Sequence, residues 1–433
     1  MVNFSAVFGS LSLILLASGR AALSLASPFT DHMVLQQEMP VPVWGWSTPG
    51  AAVEVMFDGQ QLKTTATAEG AWRVVLEPLE GSYEAESLKV SSAGETVTLE
   101  DVVVGEVWIC SGQSNMQFSY RQVDELKALA EKAAAGSAIR SFEVERTVAL
   151  AEQDRCEGKW KVSIPDSAVG FGFAYHLQQR AKVPVGVIVS CWGSSSIEAW
   201  MPRDMVESVP HFKTLMEEFD ADEETHEKLR AALSRGKNRT RAEDIFMRRQ
   251  PNILYNAMMK PLAPFACRGV VWYQGERNTQ SMFGMVKTPW FARNSGMLKY
   301  EDTLKEWIQR YRKEWERDDM EFLLVMLPRY FKGLPTGPKQ GAGHPETHSW
   351  AWMRESQLGA LALPDVAVVN TIDLGDAKNV HPKDKAPIGE RLALLAARDV
   401  LGQNVIAEGP VFTMADVEQE SIVVYFDHAG GLK

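Results

Sequence analysis

Five short apolar runs, at 107–110, 185–190, 269–272, 322–327 and 367–372, alternate with helical stretches from residue 105 onward, and this alternation restricts the fold more than any other feature. A continuous apolar run suits a strand buried on both faces, and strands separated by helical crossovers build a parallel sheet covered by helices. Such a sheet carries its ligand sites beyond the carboxyl ends of its strands. The first three runs lead into small and polar residues: Gly112-Gln113-Ser114-Asn115-Met116, Cys191-Trp192-Gly193-Ser194-Ser195-Ser196 and Gln274-Gly275-Glu276.

Residues 23–104 have a different texture. Alternating or β-branched runs at 41–46, 53–57, 72–76 and 96–99 are separated by turn residues, and Asp58-Gly59 is a two-residue hairpin signal. They predict a small all-β sandwich in front of the α/β domain. With 433 residues the chain exceeds one ordinary domain of roughly 100–200 residues. The expected division is an export signal over 1–22, the sandwich over 23–104, the α/β domain over 105–402 and the start of a truncated C-terminal β segment over 403–433.

Two excursions interrupt the alternation. The stretch 212–249 is charged and helical in pattern, which suits a solvated cover over the sheet, with a lid as the functional alternative. The stretch 279–299 carries Phe283, Trp290 and Phe291, aromatics that either line a sugar site or pack on the sheet.

A net charge of −11 leaves no basic patch for nucleic acid or anionic membranes, so a neutral or weakly charged small substrate fits better. The apolar run 6–17 followed by Ser18-Gly19-Arg20-Ala21-Ala22 has the form of a secretory signal, though without Lys or Arg ahead of it; it predicts a secreted or periplasmic protein with no membrane span in the mature chain. Four scattered cysteines, Cys110, Cys156, Cys191 and Cys267, give neither a CxxC metal pair nor a disulfide scaffold, and read as small buried hydrophobes or at most one bridge. No metal or cofactor is expected, and the oligomeric state is not legible.

Ser114, just past the first strand, is either a helix cap or a nucleophile whose own N–H faces a developing oxyanion. A nucleophilic serine needs a base, and His381, in the turn Asn379-Val380-His381-Pro382 before a helix, is the candidate. Of the other seven histidines, His176 lies in an amphipathic helix and His211 and His226 in the charged excursion, while His32, His344, His348 and His428 lie in loops away from strand ends.

The blocks Gly112-Gln113-Ser114-Asn115-Met116, Trp272-Tyr273-Gln274-Gly275-Glu276 and His381-Pro382 resemble, in that order, the nucleophile, central and histidine blocks of the sialate O-acetylesterases, a branch of the SGNH (GDSL-like) hydrolases. Leu254-Tyr255-Asn256 with Pro261-Leu262, Arg354-Glu355-Ser356-Gln357 and Gly389-Glu390-Arg391-Leu392-Ala393 are similar to further signatures, so the resemblance covers roughly 24–430. It implies an α/β, SGNH-hydrolase-like three-layer fold around a parallel sheet and a serine esterase that removes O-acetyl groups from an acetylated carbohydrate. It further implies Ser114 as nucleophile, His381 as base, and the backbone N–H groups of Ser114 and Gly193 with the Gln274 amide as oxyanion donors.

One departure concerns the acid. Where many SGNH hydrolases carry Asp three positions before the histidine, this chain has Lys378, which cannot accept the imidazole N–H. Asp376 is the chosen substitute, with Asp373, Glu276 or a backbone carbonyl as alternatives, the last giving a Ser–His dyad. Arg277 and Arg354 are candidates for gripping a carboxylated sugar. No GxSxG elbow, HExxH pair or phosphate loop is present. Besides sialic acid, acetylated xylan or another polysaccharide is a rival substrate, and a non-catalytic carbohydrate-binding protein with a decayed triad is the rival class.

Overall fold

The computed structural model of the chain describes residues 22–134, 136, 138–280, 295–330 and 349–431. The expected export segment, Ala22 apart, lies outside the described residues, as do Phe283, Trp290 and Phe291. The architecture is mixed α/β around an 11-stranded mixed sheet.

Its axis is one 18-residue strand, β1 (Glu95–Gly112). The first half of β1 pairs antiparallel with Ser82–Ser92, and its second half runs parallel between two apolar neighbours. With β2 (Ile139–Glu143), β3 (Val185–Cys191), β4 (Gly269–Tyr273), β5 (Glu321–Val325) and β6 (Val366–Val369), the order is β2-β3-β1-β4-β5-β6, all parallel. Val107, Trp108, Ile109 and Cys110 are fully buried, the result expected of an apolar run covered on both faces.

Residues 22–104 contribute mostly antiparallel strands, with Val34–Gln36 pairing parallel to β1. Asp58 and Gly59 both have positive φ, 47° and 68°, and turn Ala52–Phe57 back onto Gln60–Thr65 as the Asp-Gly signal predicts. The boundary placed at 104/105 falls inside β1, and the apolar core runs without a break from Leu23 to Ala396. A composition shift marks where the pairing partner changes, not where a strand ends.

Helices α2 (Ala168–Ala181) and α5 (Ala386–Asp399) pack on each other so closely that a Cβ at Gly389 would come within 2.6 Å of the Gly172 and Phe173 backbone. Helix α3 (Met297–Glu314) buries Tyr300, Leu304, Trp307, Ile308 and Tyr311, one face at helical spacing, and packs on α4 (Ser349–Leu358). The ring of Trp307 lies 4.5 Å from that of Trp272 in β4. Within 212–249, the Phe212, Leu215, Met216 and Phe219 face of helix Pro210–Ala221 is buried, while its charged side joins surface ion pairs such as Arg203–Asp220.

The strand foreseen at 421–426 pairs with Val411–Glu418 as an exposed hairpin. All four cysteines are free thiols, and burial pushes those of Cys191 and Cys267 up to about 12. Among the described residues no helix is long and apolar enough to cross a membrane, and no cluster of three His, Cys, Asp or Glu side chains could hold a metal ion.

Candidate active site

Sheet register brings the three candidate blocks together. Gly112 stands opposite Cys191 on one side and Tyr273 on the other. Ser114 and Gly193 each lie two residues past these aligned ends, and Gln274 lies one past. Two bonds tie the ends: Gln113 N–H to the Tyr273 carbonyl at 3.0 Å and Trp192 N–H to the Gly112 carbonyl at 3.1 Å. Gly112 has φ 134°, and a Cβ there would lie 2.2 Å from the Tyr273 oxygen, so only glycine lets the chain leave β1 so close to β4.

The chain then enters α1 (Ser114–Gln117), whose cap position is held by Gln113 without a side-chain capping bond. Ser114 therefore sits inside the first turn, where its N–H has no intrahelical acceptor. Its hydroxyl does not cap. Ser114 Oγ lies 2.8 Å from His381 Nε2, and both residues are half-buried. Burial, and then the positive charge of Lys385, hold the imidazole below its ordinary value, which keeps it unprotonated and able to accept a proton at neutral pH.

Asp376 is not brought to that ring. Its carboxylate is exposed and accepts the Lys378 backbone N–H at 2.7 Å, a local turn contact. The alternatives are also engaged elsewhere: Asp373 grips Arg391 through two bonds, and Glu276 accepts from Asn115 at 2.5 Å. Among the described residues no carboxylate hydrogen-bonds His381, and the geometry is that of a serine–histidine dyad.

Gly193 is packed against Ser114, a Cβ on it falling 3.0 Å from Ser114 Cβ. Its N–H donates to Gln117 Oε1 at 2.9 Å. Gln274 departs from the expectation of a donor aimed at substrate. It is fully buried; its Nε2 donates to Asn278 Oδ1 at 2.9 Å and to Gln113 Oε1 and the Ser195 carbonyl at 3.2 Å, while its Oε1 accepts from the Tyr300 hydroxyl at 2.6 Å. An amide with both ends engaged inside the protein joins the strand ends to one another. Arg277 donates its backbone N–H to Gln113 Oε1, and Arg354 reaches the Leu327 carbonyl.

Two buried groups behind Ser114 and His381 have no role assigned from the sequence. Asn115 is fully buried and its amide meets Glu276, Val380 and Lys385. Lys385, in the charged run Lys383-Asp384-Lys385, reads as a solvated turn residue, yet it is fully buried, 5.0 Å above the Tyr273 ring. Burial pushes its ammonium down to about 7 and the Glu276 carboxyl up to about 7.

A cleft of about 850 Å³ opens at Gln117 and Trp192, with Arg146, Arg239, Arg241, Glu143, Asp166 and Asp244 in its walls. The charged excursion thus forms one of its walls. Arg248 extends over the Trp192 ring at 5.6 Å.

The family of carbohydrate esterases described as sialic acid-specific acetylesterases matches residues 104–398. The sialate O-acetylesterase of Mus musculus is 27% identical over 460 residues, covering 95% of this chain and 80% of that protein. The human one is 26% identical over 436 residues, covering 93% and 76%. A crystal structure of a carbohydrate acetylesterase from Xanthomonas citri superposes with a TM-score of 0.74 at 32% identity, covering 94% of this chain and 82% of that one.

Proposed function

This chain belongs to the sialic acid-specific acetylesterases among the carbohydrate esterases, and on that premise we propose that it deacetylates sialic acid through Ser114 and His381. It is a carboxylic ester hydrolase that removes O-acetyl groups from sugars. The observation that carries the residue assignment is the 2.8 Å contact between Ser114 Oγ and His381 Nε2, a nucleophile and base at reacting distance.

In this reading His381 takes the Ser114 proton as Oγ attacks the acetyl carbonyl. The imidazolium returns the proton to the departing sugar oxygen, leaving acetyl-Ser114; the neutral imidazole then takes a proton from the attacking water and passes it to Ser114 Oγ as acetate leaves. The N–H groups of Ser114 and Gly193 receive the oxyanion, for which Gln117 Oε1 must leave the Gly193 N–H. Gln117 Oε1 marks the place of the substrate carbonyl oxygen. Gln274 and Glu276 act behind the site, on the groups that position it.

The cleft wall mixes Arg146, Arg239 and Arg241 with Glu143, Asp166 and Asp244, and Arg239 pairs with Asp244, so the preference for sialic acid over acetylated xylan is supported by the family and the relatives. The close dyad contact supports an active enzyme over a decayed one. For the fold we infer the SGNH three-layer arrangement, supported by the parallel strands β2 to β6 and the helix pairs α2/α5 and α3/α4, with residues 23–104 as an appended sandwich sharing its core. The apolar run 6–17 supports export.

The test is acetate release from O-acetylated sialic acid and from acetylated xylo-oligosaccharide by wild type and Ser114→Ala. Faster release from the sialate, abolished in Ser114→Ala, is expected. Release from the xylo-oligosaccharide alone would overturn the substrate, and an unimpaired Ser114→Ala would overturn the nucleophile.

A further inference from the structure

We infer that Asn115, held in one orientation by Lys385 and Val380, is the positioning residue that sets His381, whose imidazole meets no carboxylate of the described residues, against Ser114. The inference rests on the dyad reading above and adds the groups that make such a dyad geometrically possible.

An imidazole without a carboxylate partner needs some other constraint, because a base displaced by about 1 Å loses on the order of 10²-fold in rate. The structure supplies one through a single carboxamide. Asn115 follows Ser114 directly in α1 and is fully buried. Its Nδ2 donates to Glu276 Oε1 at 2.5 Å and to the Val380 carbonyl at 2.9 Å, and its Oδ1 accepts from Lys385 Nζ at 2.7 Å. Val380 is the residue before His381, and Lys385 is the fourth after it. One amide thus grips the histidine turn on both sides, from a residue covalently joined to the nucleophile.

The orientation of the amide follows from chemistry. The Val380 carbonyl can only accept, so Asn115 Nδ2 must face it, which leaves Oδ1 turned to Lys385 Nζ. Were Lys385 replaced by an apolar side chain, nothing would hold Oδ1 and the grip on Val380 would loosen. This accounts for a lysine in an apolar place. Its ammonium lies between the rings of Tyr273 at 5.0 Å and Phe118 at 5.6 Å, with the Tyr273 hydroxyl 3.5 Å away. Glu276, on the far side of the amide, is 7% exposed, and among the described residues its Oε2 has no hydrogen-bond partner. Burying the Lys385 ammonium carries a desolvation penalty.

Electrostatics give the role a signature that packing alone lacks. The charged group acting on His381 is Lys385, and those acting on Lys385 are Glu276 across the amide and Asp384 on the same turn. Below about pH 7 Lys385 is protonated and opposes imidazolium formation. Removing it raises the His381 value, so the acid limb of kcat/KM moves to higher pH.

The experiment compares wild type, Lys385→Met, Asn115→Ala and Ser114→Ala on an O-acetylated sugar, recording kcat, KM and the pH profile together with thermal melting. Lys385→Met keeps the length and apolar stem while removing the donor. Expected for it are a fall in kcat of about 10- to 100-fold, KM within about threefold of wild type, and the upward shift of the acid limb. Asn115→Ala should lose kcat at least as far; if it fails to fold, the pH profile of Lys385→Met decides. Wild-type kcat and an unmoved acid limb in a folded Lys385→Met, with Ser114→Ala inactive, would overturn the positioning role and leave the dyad standing. A fully active Ser114→Ala would instead remove the dyad and the positioning role together.

Discussion

The side-chain oxygen of Gln117 accepts the backbone N–H of Gly193 at 2.9 Å, so a donor beside Ser114, the proposed nucleophile, is occupied from within the protein. A substrate carbonyl that takes this donor must displace the glutamine, and the lost hydrogen bond subtracts from transition-state binding. Gln117→Ala should therefore raise kcat/KM by about 2- to 10-fold, the worth of one net hydrogen bond of about 0.5–1.5 kcal/mol. Steady-state kinetics on an acetylated sugar check this. A tenfold fall would mean that Gln117 holds substrate rather than its place.

Asp376 is the acid that sequence reasoning preferred, and its carboxylate is exposed on a Lys378 N–H. Asp376→Asn should stay within about threefold of wild-type kcat, whereas loss of a working triad aspartate lowers it by about 10⁴. His381→Ala should be inactive, and a serine-directed phosphonate should label Ser114 in Asp376→Asn as it does in wild type. A collapse of turnover in Asp376→Asn would restore the triad.

Gln274→Ala separates a scaffold amide from an oxyanion donor. The amide joins Asn278, Gln113, Ser195 and Tyr300, and its removal takes a hydrogen bond from each of these buried groups and leaves a cavity among them. A loss of at least about 2 kcal/mol in denaturant stability is expected alongside reduced turnover. Reduced turnover at wild-type stability would place the side chain at the oxyanion instead.

Glu276 carries a pH dependence of stability. Burial raises its carboxyl to about 7 from 4.5, so between these values the folded protein holds a proton that the unfolded chain has released. Its contribution is fully present below pH 4.5 and is lost as pH rises through 7. Glu276→Gln, which stays neutral, should remove that decline. Denaturant midpoints of both proteins across pH 4.5 to 7.5 measure the difference, and parallel curves would show that Glu276 stays ionised in the fold.

Local pattern carried much of this protein. The apolar runs at 107–110, 185–190 and 269–272 are strands, Asp58-Gly59 is the predicted hairpin turn, and Ser114 and His381 meet although 267 positions separate them. The line drawn at 104/105 marks no break, because β1 continues through it and changes only its neighbours. Lys385 could not be recognised in a charged turn, since burial is not a property of a residue or its neighbours in sequence.

What the sequence determined alone is which segments extend, which coil, and which small or polar residues stand at strand ends, because periodicity and turn chemistry act over a few residues. What only the tertiary structure decided is who meets whom behind those ends. Asp376 faces solvent, Gln274 turns its amide inward, and Asn115 joins Lys385 to Glu276, since these pairings depend on how α5 settles on α2 and carries the histidine turn over the sheet. Hydrogen bonds and burial are contact properties, and contacts between residues hundreds of positions apart exist only once the helices have packed.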